Sequence, residues 1–175
     1  MKTTNLSYLF EVSPPWVYVG SGEPERRTWI PSYFYSQENS STCVRLLRGH
    51  KMQTTDALMN EFAAALQFFE GFGENWYALE ECLQYLDEWL PADAYILVIE
   101  RADKLLKKSA TSELTTFLKV LQAVGESWSH PISNNDRFDR PAIPFHVLLH
   151  SSDPTNGELT RILSAARMAN VSVRS

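Results

Sequence analysis

The stretch that decides the fold is FFEGFGENWYALEECLQYLDEWL, which runs from Phe68 to Leu90. It begins with a turn that contains Gly71 and Gly73, and it continues into a segment with apolar residues at helical spacing. Asn75 stands where a helix N-cap is needed, because its side-chain oxygen can accept a hydrogen bond from a free amide of the first turn. The stretch therefore predicts a turn followed by an amphipathic helix that carries four acids and no base.

The predicted helix has two contrasting faces. The face expected to pack inward carries Leu79, Cys82, Leu83, Leu86 and Leu90. The opposite face carries Tyr77, Glu80, Glu81, Gln84 and Glu88. The preceding loop presents Phe72 and Glu74 on the same side as these polar residues. Like charges one turn apart on a helix cost stability when no base pairs with them, so the pattern fits either a solvated flank or a face that binds a basic partner.

The charge of the whole chain favours the second alternative. The 175 residues carry a net charge of −5, and ten acids lie between Met52 and Glu100 without a single Lys or Arg. Such a surface repels phosphate backbones and anionic membranes and attracts cationic proteins. We therefore expect a basic protein as partner, and neither a nucleic acid nor a membrane.

Three segments predict strands: TCVRLLRG at Thr42–Gly49, YILVIE at Tyr95–Glu100 and FHVLLH at Phe145–His150. The last two are continuous apolar runs, which are typical of strands buried on both faces. Helical segments separate the strands, and strands joined by such crossovers run parallel. The sequence therefore predicts an α/β fold with a small three-stranded parallel sheet and helices packed on it.

Three parts of the chain are expected. Residues 1–41 form an N-terminal extension with short strands in WVYVG and YFYS, residues 42–150 form the α/β domain, and residues 151–175 add a helix, GELTRILSAARMA, packed on that domain. Within the domain, TTDALMNEFAAALQFF predicts a helix in which Leu58, Phe62, Leu66 and Phe69 recur at helical spacing. A short helix is predicted at ADKLLKK, and a longer one at Thr111–Ser127.

Enzymatic chemistry finds no support in the sequence. Side chains of adjacent residues on a helix, such as Glu80 and Glu81, diverge by about 100° and do not flank one bond. His146 and His150 lie roughly 13 Å apart on a strand, too far to bind one metal ion. Cys82 faces inward and is expected, with Cys43, to be a buried free thiol. We expect no catalytic activity, no metal and no cofactor. The sequence has no leader-like or membrane-spanning run, so we expect a soluble cytoplasmic protein.

The turn and helix resemble the central motif of the barstar family, the intracellular inhibitors of barnase-type ribonucleases. That motif is an aromatic–Gly–x–Asn turn followed by x-x-Ala-Leu-x-x-Cys-Leu, and six residues match it: Gly73, Asn75, Ala78, Leu79, Cys82 and Leu83. The likeness extends from about Cys43 to His150 as an order of strands and helices. The resemblance implies a bacterial immunity protein or antitoxin, monomeric when free, that plugs the active site of a ribonuclease toxin.

The resemblance also implies roles for individual residues. Glu81 precedes the motif cysteine, where the family places a carboxylate that stands in for a substrate phosphate. Phe72 and Glu74 are implied as loop contacts, and Tyr77, Glu80 and Gln84 as helix contacts. Four positions are implied to shape the turn: Gly71, Gly73, Asn75 and Trp76, the last wedged against the core or the rim.

The chain departs from the family prototype at several of these positions. Glu81 replaces an aspartate, Glu80 an aromatic residue, Tyr77 an acid and Gly71 a tyrosine. A further acid that the prototype carries on its long helix has three competing counterparts: Lys119, Gln122 and Glu126. The sequence therefore leaves open a second function, a barstar-fold module that binds a non-barnase toxin or a regulatory partner.

Overall fold

The computed structural model describes residues 7–21, 41–151 and 158–174. Its strands are β1 (Val17–Ser21), β2 (Thr42–Arg48), β3 (Ala94–Glu100), β4 (Phe145–Ser151) and β5 (Val173–Arg174). Its helices are α1 (Thr55–Leu66), α2 (Trp76–Gln84), α3 (Thr111–Trp128) and α4 (Glu158–Ala169). Short 3-10 helices occupy Ser7–Phe10, Gly49–Lys51, Leu86–Glu88 and Ala102–Lys104.

The strands form one parallel sheet with the order β2-β3-β4-β1-β5. The α/β class is confirmed, but the prediction of three strands is wrong. The segment WVYVG does form a strand, and this strand lies beside β4 with Val17 opposite Val147. The two-residue β5 then pairs with β1. An apolar run predicts a strand but contains no information about which strands lie beside it. The number of strands in the sheet therefore cannot be predicted from such runs alone. The strand predicted at YFYS lies outside the described residues.

The side chains of the sheet alternate between two apolar clusters. On one face, residues such as Leu97, Ile99 and Val147 pack against α1, α2, α3 and α4. On the other face, Ile96, Val98 and Leu148 pack with Leu9 of the N-terminal 3-10 helix. Because β3 contributes to both clusters, it is buried on both faces, which explains its continuous apolar sequence.

Two helices end earlier than their apolar patterns predict. The chain leaves α1 at Gln67, whose backbone is left-handed at φ 56°, so Phe69 lies beyond the helix and is 61% exposed. Its predicted place within the helix is therefore wrong. The helix α2 ends at Gln84, and a separate 3-10 turn carries Glu88. Leu90 consequently lies outside the helix and is half-buried. In both α1 and α2, apolar residues continue at helical spacing beyond the last helical residue, but the helical backbone hydrogen bonds stop there.

The helix predicted at ADKLLKK is also shorter, since only Ala102–Lys104 is helical and of the 3-10 type. Arg101 before it and Leu106 after it both have left-handed backbones, which limits the segment to a single turn. The C-terminal helix is confirmed as α4. Cys43 and Cys82 are buried free thiols, as predicted. None of the helices in the described ranges is long and apolar enough to span a membrane.

Candidate partner-binding site

Two hydrogen bonds of the Asn75 side chain fix the start of α2. Asn75 Oδ1 accepts a hydrogen bond from Ala78 N at 3.0 Å, and Asn75 Nδ2 donates to Gly73 O at 2.9 Å. A Cβ on Gly73 would lie 3.1 Å from Asn75 Nδ2 and would crowd this arrangement. Asn75 is therefore the N-cap, as predicted, and Gly73 leaves the space that its side chain occupies.

Both ends of α2 are anchored to α3 by tryptophans. At the first turn, Trp76 Nε1 donates to Glu113 Oε2 at 2.9 Å, and the Trp76 ring packs on Phe117. At the last turn, the buried Trp128 of α3 donates from Nε1 to Leu83 O at 2.8 Å. The helix therefore cannot rotate or slide without breaking hydrogen bonds, and its outer face is preorganised.

The outer face of α2 presents an aromatic ring and carboxylates. Tyr77 is 78% exposed, and Glu81 is exposed one turn later. Glu80 is half-buried on one flank, where its Oε1 accepts from Gln84 Nε2 at 3.3 Å. Within the described residues no base forms an ion pair with Glu81. The structure thus leaves Glu81 as the fully presented carboxylate of the helix.

The loop before α2 contains one residue that packs on the core and others that are exposed to solvent. Phe72 is half-buried, with its ring 4.9 Å from that of Phe68, so most of its surface belongs to the core. Gly71 and Glu74 are exposed. Neither Gly71 nor Gly73 has a positive φ; the left-handed residue of this turn is Glu74, at φ 48°. This conformation directs the chain into α2 at the expense of backbone strain in a non-glycine residue.

A groove of about 540 Å³ opens beside α2 at the edge of the sheet where the strands begin. Three exposed aromatic side chains lie along it, Phe69, Tyr85 and Phe138, which are 61%, 41% and 37% exposed. The lining also contains three carboxylates and, among the described residues, no Lys or Arg: the acids are Glu81, Glu88 and Asp136. The groove therefore joins two predicted residues, Glu81 and Glu88, to aromatic residues that the sequence analysis did not assign to a site.

The far wall of the groove is the 129–144 loop, which internal hydrogen bonds hold in shape. The Asp139 carboxylate accepts from Asn134 N at 2.7 Å and from Asn135 N at 3.1 Å. Asp136 Oδ1 accepts from Phe138 N at 2.8 Å, and an antiparallel bridge joins Ile132 to Arg140. The Asp136 bond is that of an Asx turn, and Asp139 gathers amides from the residues before it. These hydrogen bonds fix the position of Phe138, although the composition of the segment predicts only an irregular loop.

The cysteine of the motif is buried beneath the groove and packs within the helix. Cys82 is 4% exposed at the floor of the groove, and burial together with the nearby Glu81 carboxylate raises the pKa of its thiol to about 11. The thiolate is the reactive form of cysteine. At neutral pH Cys82 therefore remains a protonated packing residue.

Positive charge collects at the opposite edge, where strands β2 and β3 end. Five cationic or titratable side chains and one glutamine surround a pocket of about 610 Å³: His50, Gln53, Arg101, Lys104, Lys107 and Lys108. Backbone hydrogen bonds hold the two contributing loops together, from Leu106 N to Met52 O at 2.7 Å and from Lys108 N to Gln53 O at 2.9 Å. The acidic groove and this cationic pocket thus lie at opposite edges of the sheet.

The long helix α3 carries the three positions that compete as the further contact with the partner. Of the three competing positions, Lys119 and Glu126 are exposed and Gln122 is half-buried. The α3 carboxylate that touches the predicted site is instead Glu113, which the sequence analysis missed and which accepts hydrogen bonds from both Trp76 and Thr55. Its role is to position α2, since it supports the helix from behind.

Solved structures show a likeness of fold. A structure described as the crystal structure of Cdc6p from Pyrobaculum aerophilum aligns with a TM-score of 0.53 and 16% sequence identity. The alignment covers 90% of this chain, which spans only 38% of that one. The comparison therefore concerns the arrangement of the sheet and helices alone.

Sequence comparisons give a more specific result. No curated protein matches the chain. The family model described as Barstar (barnase inhibitor) matches residues 42–150, which comprise β2 to β4 with the three helices between them. This match covers more than half of the chain and includes the turn, the capped helix and the buried cysteine described above. The chain therefore belongs to the barstar family.

Proposed function

We propose that the chain is a stoichiometric inhibitor of a ribonuclease and that it acts by occlusion, without turnover or a cofactor. The outer face of α2 and the loop before it would cover the basic active site of the enzyme. The observation that carries this proposal is the position of Glu81, an exposed carboxylate without an ion-pair partner among the described residues, on a helix anchored at both ends.

The physical basis is phosphate mimicry. A ribonuclease binds RNA phosphates through cationic groups, and a carboxylate held in place can form the same charge-assisted hydrogen bonds. Because Trp76 and Trp128 already fix α2, little conformational entropy is lost when the partner docks. Inhibition is thus expected to require the carboxylate of Glu81 itself.

The acidic half of the molecule supports rapid association. Ten acids and no Lys or Arg lie between Met52 and Glu100, and the cationic pocket lies at the other edge of the sheet. An approaching basic enzyme is attracted to the acidic groove and repelled by the cationic pocket. Association should therefore slow as salt is added, while a purely apolar interface would respond little.

The test is a titration of the full chain into a barnase-type ribonuclease, with RNA cleavage as the readout at low and high salt. We expect one-to-one inhibition that Glu81→Gln weakens at least about a hundredfold, since truncated charge pairs in interfaces cost several kcal/mol. The matched control is Glu11→Gln, which removes an exposed acid next to the 3-10 helix on the other face of the sheet and should leave inhibition intact. Equal inhibition by both variants would contradict the assignment of Glu81.

A second candidate is a basic partner other than a barnase-type enzyme, such as a different toxin or a regulatory protein. It is favoured by the composition of the outer face, where Tyr77 is widely exposed and Glu80 is engaged by Gln84. The prototype carries an acid and an aromatic residue at these two positions. If barnase-type enzymes are not inhibited, a panel of basic ribonucleases and other basic toxins should be screened for one-to-one complexes at low salt.

A further inference from the structure

We propose that the groove between α2 and the 129–144 loop is a receptor for an arginine side chain of the partner protein. This inference rests on the proposed function in one respect, namely that the partner is basic. It goes further by naming the chemical group that enters the groove and by assigning a role to Phe138 and Asp136, which lie outside the family's motif.

The first argument is that the groove combines aromatic surface with negative charge. Phe69, Tyr85 and Phe138 supply aromatic surface, and Glu81, Glu88 and Asp136 supply negative charge. A purely apolar ligand would leave the carboxylates desolvated without a partner, and a strongly hydrated ammonium group would gain little from the rings. A guanidinium suits both, because it stacks on aromatic faces and donates paired hydrogen bonds to carboxylates.

The second argument is that this chain already uses the same contact beside the groove. The guanidinium carbon of Arg137 lies 4.6 Å from the centroid of the Phe138 ring, and Arg137 and Arg140 line a smaller adjoining pocket that shares Glu88 and Phe138 with the groove. Phe138 is therefore held in a setting where a guanidinium packs favourably against an aromatic face.

The third argument is rigidity. Asp139 and Asp136 tie the backbone on both sides of Phe138, and Trp89 on the near wall is held by a hydrogen bond from its Nε1 to Leu66 O at 2.9 Å. The volume of about 540 Å³ lies within the range of ligand pockets, and it exceeds what one side chain needs. The groove can therefore admit an arginine together with its neighbouring backbone.

The test uses a probe that does not depend on the enzyme: capped hexa-arginine, compared with hexa-citrulline, which is isosteric and neutral, and with hexa-lysine. Binding to the full chain is followed by NMR, through the amide signals of Ile132 and Phe138. We expect hexa-arginine to shift these signals, hexa-lysine to bind at least about threefold more weakly, and hexa-citrulline to cause no shift. Phe138→Ala and Glu88→Gln should each weaken hexa-arginine binding, whereas Met168→Ala, at an exposed residue of α4, should not.

Two outcomes would overturn the proposal: equal binding of hexa-lysine and hexa-arginine, or hexa-arginine shifts that persist unchanged in Phe138→Ala. The ribonuclease titration separates this inference from the proposed function. If Phe138→Ala inhibits as strongly as the parent chain, the arginine receptor is wrong and the inhibitor function stands. If hexa-arginine binds in the groove but no ribonuclease is inhibited, the receptor stands and the inhibitor function is wrong.

Discussion

The guanidinium carbon of Arg140 lies 3.9 Å from the centroid of the Trp128 ring, and both side chains are buried. Arg140 Nη2 also donates to Ser127 O at 3.3 Å, so this side chain joins the 129–144 loop to the end of α3. Burial lowers the pKa of Arg140, and the nearby Asp87 carboxylate partly opposes this. The stack thus connects the far wall of the groove to the same tryptophan that anchors α2.

Arg140→Lys should destabilise the protein by about 1–2 kcal/mol, because lysine keeps the charge but loses the planar stack and the fork of donors. Urea denaturation measures the change. Arg137→Lys is the control, since its guanidinium packs on Phe138 at the exposed rim and should alter stability by less than about 0.5 kcal/mol. If the two variants lost similar amounts of unfolding free energy, the buried stack of Arg140 on Trp128 would stabilise the protein no more than the exposed contact of Arg137 does.

Glu74→Gly should raise the free energy of unfolding by about 0.5–1 kcal/mol, because glycine adopts the left-handed backbone of this position without strain. Glu74→Gln removes the same charge but keeps the strain, so it should bring no such gain. Both variants should slow association with a basic partner to a similar degree. Thermal unfolding and stopped-flow binding separate the two effects, and equal stability of the two variants would refute the strain argument.

The stability of the protein should fall as the pH drops below about 6.5, the pKa of an unperturbed histidine. His146 is fully buried, and burial lowers its pKa even though its Nε2 lies 2.8 Å from Glu11 O. The unfolded chain therefore binds a proton between pH 6.5 and the lowered native value, and the folded chain does not. Within that window, the free energy of unfolding falls by up to about 1.4 kcal/mol for each unit by which the pH drops.

His146→Gln should flatten this part of the stability profile, measured as the midpoint of urea unfolding between pH 7 and 5. His130→Gln, at an exposed histidine, should keep the slope of the parent protein. The pKa of Glu61 is lowered mainly by its hydrogen bond from Arg48, so the stabilising effect of this pair is lost only below about pH 4.5. A steep slope near pH 6 that survives in His146→Gln would contradict the assignment.

Gly125→Ala should destabilise the protein by about 3 kcal/mol, at the upper end of the usual cost of overpacking. A Cβ at this position of α3 would lie 2.3 Å from Trp16 Cγ, just before β1. Gly20→Ala is the control within β1 itself, because its Cβ would make an ordinary contact of 3.8 Å with Leu148 Cδ1. Chemical denaturation of both variants tests whether the N-terminal segment is an integral part of the core.

The sequence predicts those structural features that depend on residues close together in the chain, and it does not predict those that depend on distant residues. The cap at Asn75, the buried runs of β3 and β4 and the motif around Cys82 are local patterns, and each was predicted correctly. The place of β1 in the sheet depends on pairing with residues at the far end of the chain, and nothing within WVYVG specifies that neighbour.

The groove escaped prediction for a related reason. Phe69 and Phe138 are distant in sequence, and each taken alone resembles a core residue or an incidental loop aromatic. A helical pattern that continues into Phe69 conceals the left-handed end of α1 at Gln67. Asp136 and Asp139 were the available signal in the 129–144 loop, because aspartate side chains accept hydrogen bonds from nearby backbone amides and can hold an irregular segment in one shape.

The position of β1 in the sheet also sets an order for folding during synthesis. This strand leaves the ribosome before β2, β3 and β4, yet Val17 pairs with Val147, and β5 in turn pairs with β1. The strands β2, β3 and β4 can associate as they emerge, but the apolar side chains of Leu9, Trp16 and Val17 must wait until β4 has been made. Leu9 and Trp16 are therefore synthesised before β2, β3 and β4 but become buried only after these strands have formed, so their apolar surface stays exposed to water for most of this interval.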